Sequence, residues 1–180
     1  MNYGRMLDQL ELHEGYRPTL YRDSVGKWTA GIGYNVDDRG LGPMSTALGK
    51  TISMAYLRDT GLTHEEARAV CLTDIRYFED RVRRRFNEYD MLDEIRQRVC
   101  VDLAFNMGAK ALGFKSVIAA VRLALLQTAG SDLRQACWDA ACYHLMDSLW
   151  ANQVDDGLGG KYGRADRLCQ MLRTGADFAK

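Results

Sequence analysis

Tyr3, Met6, Leu7 and Leu10 recur at i, i+3, i+4 and i+7. That spacing puts them on one helix face, so residues 3–13 read as an amphipathic helix with Glu14 at its C-terminal end and Gly15 as its stop. The period then changes. Thr19-Leu20-Tyr21 and the run from Lys27 to Ile32 lean towards strand, and Asp23-Ser24-Val25-Gly26 between them has turn-forming composition, which predicts a hairpin. From Asn35 to Gly49 the chain is rich in Gly, Asp and Asn and holds Pro43, the mark of a loop, with a short helix expected within Ser45 to Arg58.

Helical periodicity dominates the rest. Thr63 and Glu66 form a capping-box pattern ahead of Ala67, Val70, Cys71, Ile75, Phe78, Val82 and Phe86, so a long helix is expected from about His64 to Asn87. Three further helical sets follow: Leu92, Ile95, Val99 and Leu103; Phe114, Val117, Ile118, Val121 and Leu125; and Leu133, Ala136, Cys137, Ala140 and His144 after the cap residue Ser131. A glycine-rich loop from Gly157 to Gly163 precedes a last helix, Arg164 to Arg173, closed by Gly175. The expected fold class is α+β: a small N-terminal lobe of helix and β-hairpin over residues 1–63, then a long linking helix and a larger all-helical lobe over 64–180, together one functional domain.

A chain of 180 residues can bury a core as one compact unit or two tightly joined lobes, and 47% hydrophobic with 27% charged residues is ordinary globular composition. Lys and Arg together number 24, as do Asp and Glu, so no global field recruits nucleic acid or an anionic membrane. The five cysteines are odd in number and form no CxxC pair, which favours buried, reduced thiols over a disulfide framework or a zinc ribbon. Residues Met1 to Gln9 lack the apolar run of a secretory signal, so a cytosolic product is expected. Val117 to Leu126 is too short for a membrane span and contains Arg122, so membrane insertion is not expected.

Several chemistries find no support. Gly31-Ile32-Gly33 lacks the third glycine of a dinucleotide loop, no phosphate-cradling GxxxxGK[ST] occurs, His64-Glu65-Glu66 does not complete HExxH, and the three histidines show no ligand spacing, so neither cofactor nor metal is expected. No GxSxG elbow is present. What remains is a carboxylate pair on adjacent elements, Glu14 at a helix end and Asp23 in the following hairpin. Glycosidic hydrolysis needs such a pair: one sheltered carboxylic acid donates to the leaving oxygen, and an ionised one activates water or stabilises the cation. Taken alone, two acids are more often solvated surface charges.

The surrounding residues sharpen that reading. Glu14-Gly15, Leu20-Tyr21-Arg22-Asp23 and the stretch from Gly26 through Trp28, Thr29 and Gly31-Ile32-Gly33 to Tyr34 closely resemble the catalytic segment of phage-type lysozymes, the endolysin family. Leu103 to Gly108 ahead of Gly113-Phe114 resembles the family's mid-domain helix and turn. Trp150 to Gln153, Arg164 to Arg167 and Leu172 to Gly175 resemble its C-terminal signature. The likeness covers nearly the full chain.

The resemblance implies two lobes joined by a long helix with the sugar chain in the cleft between them. It makes Glu14 the general acid, Asp23 the group that positions or activates water, and Thr29 the residue that holds that water, with inversion at the anomeric carbon. It has Arg164 reach and orient Glu14, and it implies substrate contacts at Phe105 and Asn106 and at the strand end formed by Tyr34 and Asn35. These last two depart from the family pattern, where a His and an apolar residue occur. Trp138 and Trp150 read as packing residues.

The implied activity is a muramidase that cuts the β-1,4 bond between N-acetylmuramic acid and N-acetylglucosamine in the peptidoglycan glycan strand. It would accumulate as a monomer in the host cytoplasm and reach the periplasmic wall with a holin's help. Two rivals stand beside it, a lytic transglycosylase and a non-catalytic wall-binding or virion module. Many family members are basic; here local positive charge from Arg81, Arg83, Arg84 and Arg85, and from Lys161, Arg164, Arg167 and Arg173, would serve the anionic wall, although an Arg-rich helix face is usually a solvated one.

Overall fold

The computed structural model describes residues 1–108, 113–154 and 163–177. The expected loop 157–163 and Lys161 therefore fall outside the described residues, apart from Gly163. The fold is α+β, as expected: a small antiparallel sheet near the N-terminus and helices elsewhere. It divides into two compact units, Asn2–Tyr77 and Phe78–Lys180 with Met1, and the division falls inside the long helix instead of ahead of it. The cause is that the first half of this helix carries side chains that bind the N-terminal elements: Arg68 to Asp8 and Glu11, and Asp74 to Arg39.

In the N-terminal unit α1 (Tyr3–Glu14) starts on Asn2, whose side chain accepts from Arg5 N, and it buries Met6, Leu7 and Leu10 as the periodicity predicts. Gly15 ends it with φ +69, backbone that favours glycine. The hairpin comprises β1 (Arg17–Arg22) and β2 (Trp28–Gly31), paired with Arg22 opposite Trp28 and Tyr21 opposite Thr29. A short third strand, β3 (Tyr34–Asn35), adds to β2 with Thr29 opposite Asn35. Two residues carry too little pattern to be seen in the sequence.

The expected loop after Asn35 is largely helical. Asn35 caps α2 (Val36–Arg39) by accepting from Asp38 N, and α3 (Gly42–Leu48) and α4 (Met54–Asp59) replace the single short helix expected over 45–58. Pro43 lies in the first turn of α3, where its missing N–H costs nothing. Then α5 (His64–Arg85) begins on the predicted capping box: Thr63 N donates to Glu66 Oε2 at 2.9 Å and Glu66 N to Thr63 Oγ1 at 3.2 Å.

One buried ion pair fastens this unit. Arg39 Nη2 donates to Asp74 Oδ1 at 2.8 Å, its guanidinium lies 3.4 Å from the Tyr77 ring centre, and Asp74 is only 2% exposed. Burial raises the Asp74 carboxyl above its ordinary value, and Arg39 opposes that rise.

The second unit is all helix among its described residues. A 3-10 turn at Tyr89–Met91 leads to α6 (Glu94–Met107), α7 (Lys115–Leu126), α8 (Asp132–Met146), the short α9 (Leu149–Gln153) and α10 (Arg164–Thr174). Ser131 caps α8 as predicted. Val99, Val101, Ala124, Trp138, Leu145, Leu168 and Met171 make its core. Arg96 lies buried over the Trp138 ring and donates to the carbonyls of Leu172 and Arg173, closing the C-terminal end of α10.

The cysteine expectation needs correcting. Cys142 on α8 and Cys169 on α10 form a disulfide with Cα atoms 5.1 Å apart, while Cys71, Cys100 and Cys137 are free thiols. Helix packing brings the pair together across 27 residues, which no local spacing rule could reveal.

Two predictions follow from these anchors. Arg39→Met leaves Asp74 buried without its cation and should lower stability at pH 7 by about 3 kcal/mol in denaturant unfolding. With burial acting alone the folded-state carboxyl rises further above its unfolded value, so the deficit should shrink as pH falls and the group protonates. A pH-independent deficit would contradict this. Reducing the disulfide should cost about 3–4 kcal/mol by the loop-entropy relation. Reductant should therefore lower the Tm of the native protein and leave that of Cys142→Ser unchanged; equal sensitivity would show that the thiols are not paired.

Candidate active site

The N-terminal unit gathers the predicted catalytic residues from three adjacent pieces of chain. Glu14 is the last residue of α1, Asp23 opens the β1–β2 turn, and Thr29 lies on β2 opposite Tyr21. The Asp23 turn is built on its own side chain: Oδ1 accepts from Val25 N at 3.0 Å and Lys27 N at 2.8 Å, while Asp23 N donates to Lys27 O at 3.0 Å. These bonds fix the plane of the carboxylate and engage one oxygen only. Among the described residues no protein donor meets Oδ2, which leaves it to accept from water or substrate.

The turn is braced from outside. Arg22 stacks on the Trp28 ring with Cζ 3.8 Å from its centre and donates to Gly26 O. Asp37 Oδ2 accepts from Trp28 N at 2.9 Å and lies 3.7 Å from Arg22 Nη1, and Lys27 pairs with Asp38. Thus α2, absent from the sequence expectation, holds the far side of the hairpin. Thr29 is buried; its Oγ1 lies 3.3 Å from Lys27 O, to which it donates, and the hydroxyl lone pairs remain for another donor.

Tyr21 reports that both acids share one neighbourhood. Burial raises its hydroxyl above the ordinary phenol range, and the negative charges of Glu14 and Asp23 each add to the rise against Arg17. Both carboxylates thus lie within electrostatic reach of one phenol. Glu14 is half-buried and lies against Gly33: a Cβ placed there would fall 2.9 Å from Glu14 Cγ. Neither Tyr21 nor Gly33 was singled out by sequence reasoning, although both lie inside the segment that carries the resemblance.

The predicted binding residues are differently placed. Tyr34 is 2% exposed and donates its hydroxyl to Gly40 O at 2.7 Å, so the expected sugar contact has no surface to act through; the ring braces the sheet edge. Burial, with Asp74 adding, pushes its hydroxyl up to about 12. Asn35 is half-buried and accepts from Asp38 N at 2.9 Å.

In the second unit Phe105 is buried, its ring centre 5.4 Å from that of Phe78, while Asn106 is exposed and accepts from Trp150 Nε1 at 2.8 Å. Trp150 and Trp138 are buried packing residues, as expected. Arg164 is buried and donates from Nε to Asp102 Oδ1 at 2.9 Å, with Nη2 2.8 Å from the same oxygen as an ion pair within its own unit that the sequence did not foretell. Among the described residues no group of three or more His, Cys, Asp or Glu is disposed to hold a metal ion.

A mixed lobe with a small sheet, in a chain whose other unit is helical among its described residues, is an architecture consistent with the α+β lysozyme fold. The family model for phage lysozyme matches residues 11–151, and the chain belongs to that family. It is also similar to the probable T4-type lysozyme 1 of Dictyostelium discoideum, 23% identical over 177 residues and covering 93% of each chain. The protein is accordingly a hydrolase of the lysozyme type, acting on peptidoglycan.

Proposed function

We propose that the protein is an inverting muramidase that cleaves the β-1,4 bond between N-acetylmuramic acid and N-acetylglucosamine in peptidoglycan. The observation that carries this is the placing of two half-buried carboxyls near Tyr21, one at a helix end and one held in a turn through a single oxygen. Glu14 protonates the leaving glycosidic oxygen. Asp23 Oδ2 takes a proton from water as that water attacks the anomeric carbon from the opposite face, and the Thr29 hydroxyl accepts from the same water and orients it. The new C–O bond forms as the glycosidic bond breaks. Glu14 ends ionised and Asp23 protonated, and exchange with solvent resets both.

Other groups act at a distance. Asn106, exposed and held by Trp150, serves as a glycan contact of the second unit. Asn35 and Arg164 act through the positions of their neighbours, the one at the α2 cap and the other through Asp102. In the cell we read the enzyme as a monomeric endolysin of host lysis that gathers on the cytoplasmic side and reaches the wall through a holin lesion. Family membership supports this.

Glu14→Gln and Asp23→Asn should each lower reducing-sugar release from purified peptidoglycan by roughly 100- to 10,000-fold while keeping the native Tm within a few degrees. Full activity in a folded Glu14→Gln protein would refute the assignment. The first product seen by NMR should carry the α-anomer at its new reducing end. A β-anomer would mean retention, and anhydro-muropeptides in the mass spectrum would mean a transglycosylase.

A further inference from the structure

Gly31 and Gly33 flank the tight connection from β2 to β3, and both hold left-handed backbone, with φ +66 and +63. Both positions therefore favour glycine. Their surroundings differ. A Cβ at Gly31 would meet Ala67 Cβ at 3.2 Å and Leu62 Cδ1 at 3.3 Å, the side of the sheet that packs on α5. A Cβ at Gly33 would meet only Glu14 among its nearest atoms: Cγ at 2.9 Å, Cδ at 3.0 Å and Oε2 at 3.0 Å. The carboxyl-bearing end of Glu14 thus lies directly on bare backbone.

We propose that Gly33 is a positioning residue for the general acid: the absence of a side chain at 33 sets where the Glu14 carboxyl sits and hence where its proton is delivered. The proposal rests on the reading of Glu14 given above. The atoms that a new methyl would strike are the far end of a flexible side chain, which yields by rotation. The clash therefore falls on catalysis more than on folding, and a displacement of about 1 Å in a catalytic group is enough for a roughly 100-fold loss. Gly31 offers a comparison, since alanine there also meets positive-φ strain but has no Glu14 atom among its nearest neighbours.

The test compares full-length native protein, Gly33→Ala, Gly31→Ala and Glu14→Gln on purified peptidoglycan, with Tm measured for each. Both alanine variants should melt several degrees lower than the native protein. Gly33→Ala should lose roughly 100-fold in kcat with KM nearly unchanged, whereas Gly31→Ala should keep its kcat within a small factor. A Gly33→Ala kcat equal to that of Gly31→Ala, or a loss confined to KM, overturns the proposal. So does a Gly33→Ala protein that fails to fold while Gly31→Ala folds, because the clash would then rest on backbone.

Should both alanine variants be too unstable to purify, Glu14→Ala combined with Gly33→Ala decides. Recovery of folded protein on removing the Glu14 side chain upholds the contact, and no recovery overturns it. An active Glu14→Gln protein would instead defeat the glycosidase reading itself, so the two failures are distinct.

Discussion

A carboxyl group resting on bare backbone is the contact around which the N-terminal unit is arranged. Glu14 approaches Gly33 more closely than any side chain at 33 would permit, so the end of α1 and the β2–β3 turn must be held in register from outside. Both are referred to the first half of α5. On the α1 side, Arg68 pairs with Asp8 and Glu11, and His64 also joins Glu11, one turn before Glu14. On the sheet side, the segment after β3 is tied to Asp74 through Arg39. His64, Arg68 and Asp74 thus form one frame, to which both the end of α1 and the sheet edge are tied.

These attachments differ in strength. His64, Arg68 and Asp8 are partly or largely exposed, so their ion pairs are worth no more than about 1 kcal/mol each and act mainly as registers. Burial of Met6, Leu7 and Leu10 gives α1 most of its stability, at about 1.5–3 kcal/mol per side chain. The Arg39–Asp74 pair belongs to another class. Its carboxylate is buried, so it contributes little relative to an apolar substitute and a great deal relative to a broken pair, which makes it a device for fixing geometry.

The sequence revealed what is periodic or local. The α1 face, the Gly15 stop, the Thr63–Glu66 box and the Ser131 cap each rest on residues within seven positions of one another, and all are present. Glu14, Asp23 and Thr29 were named from a compact motif for the same reason. What escaped was non-local or too short to have a period: β3 has two residues, α2 has four, and Arg39–Asp74, Asp102–Arg164 and Cys142–Cys169 each join residues at least 27 positions apart. Tyr34 shows the intermediate case. Its place beside the catalytic segment was legible, but its burial and its bond to Gly40 depend on α2 and α3, which the pattern had read as mostly loop.

That same tyrosine stands where the family resemblance would put a histidine, and the exchange has a physical consequence. An imidazole changes charge within about a unit of pH 6.5, whereas the Tyr34 hydroxyl, raised to about 12, stays neutral throughout the range in which peptidoglycan is attacked. Its neighbour Asp74 is paired with a guanidinium that never loses its proton in a protein. At position 34, therefore, the back of the sheet carries no group that changes charge near neutrality.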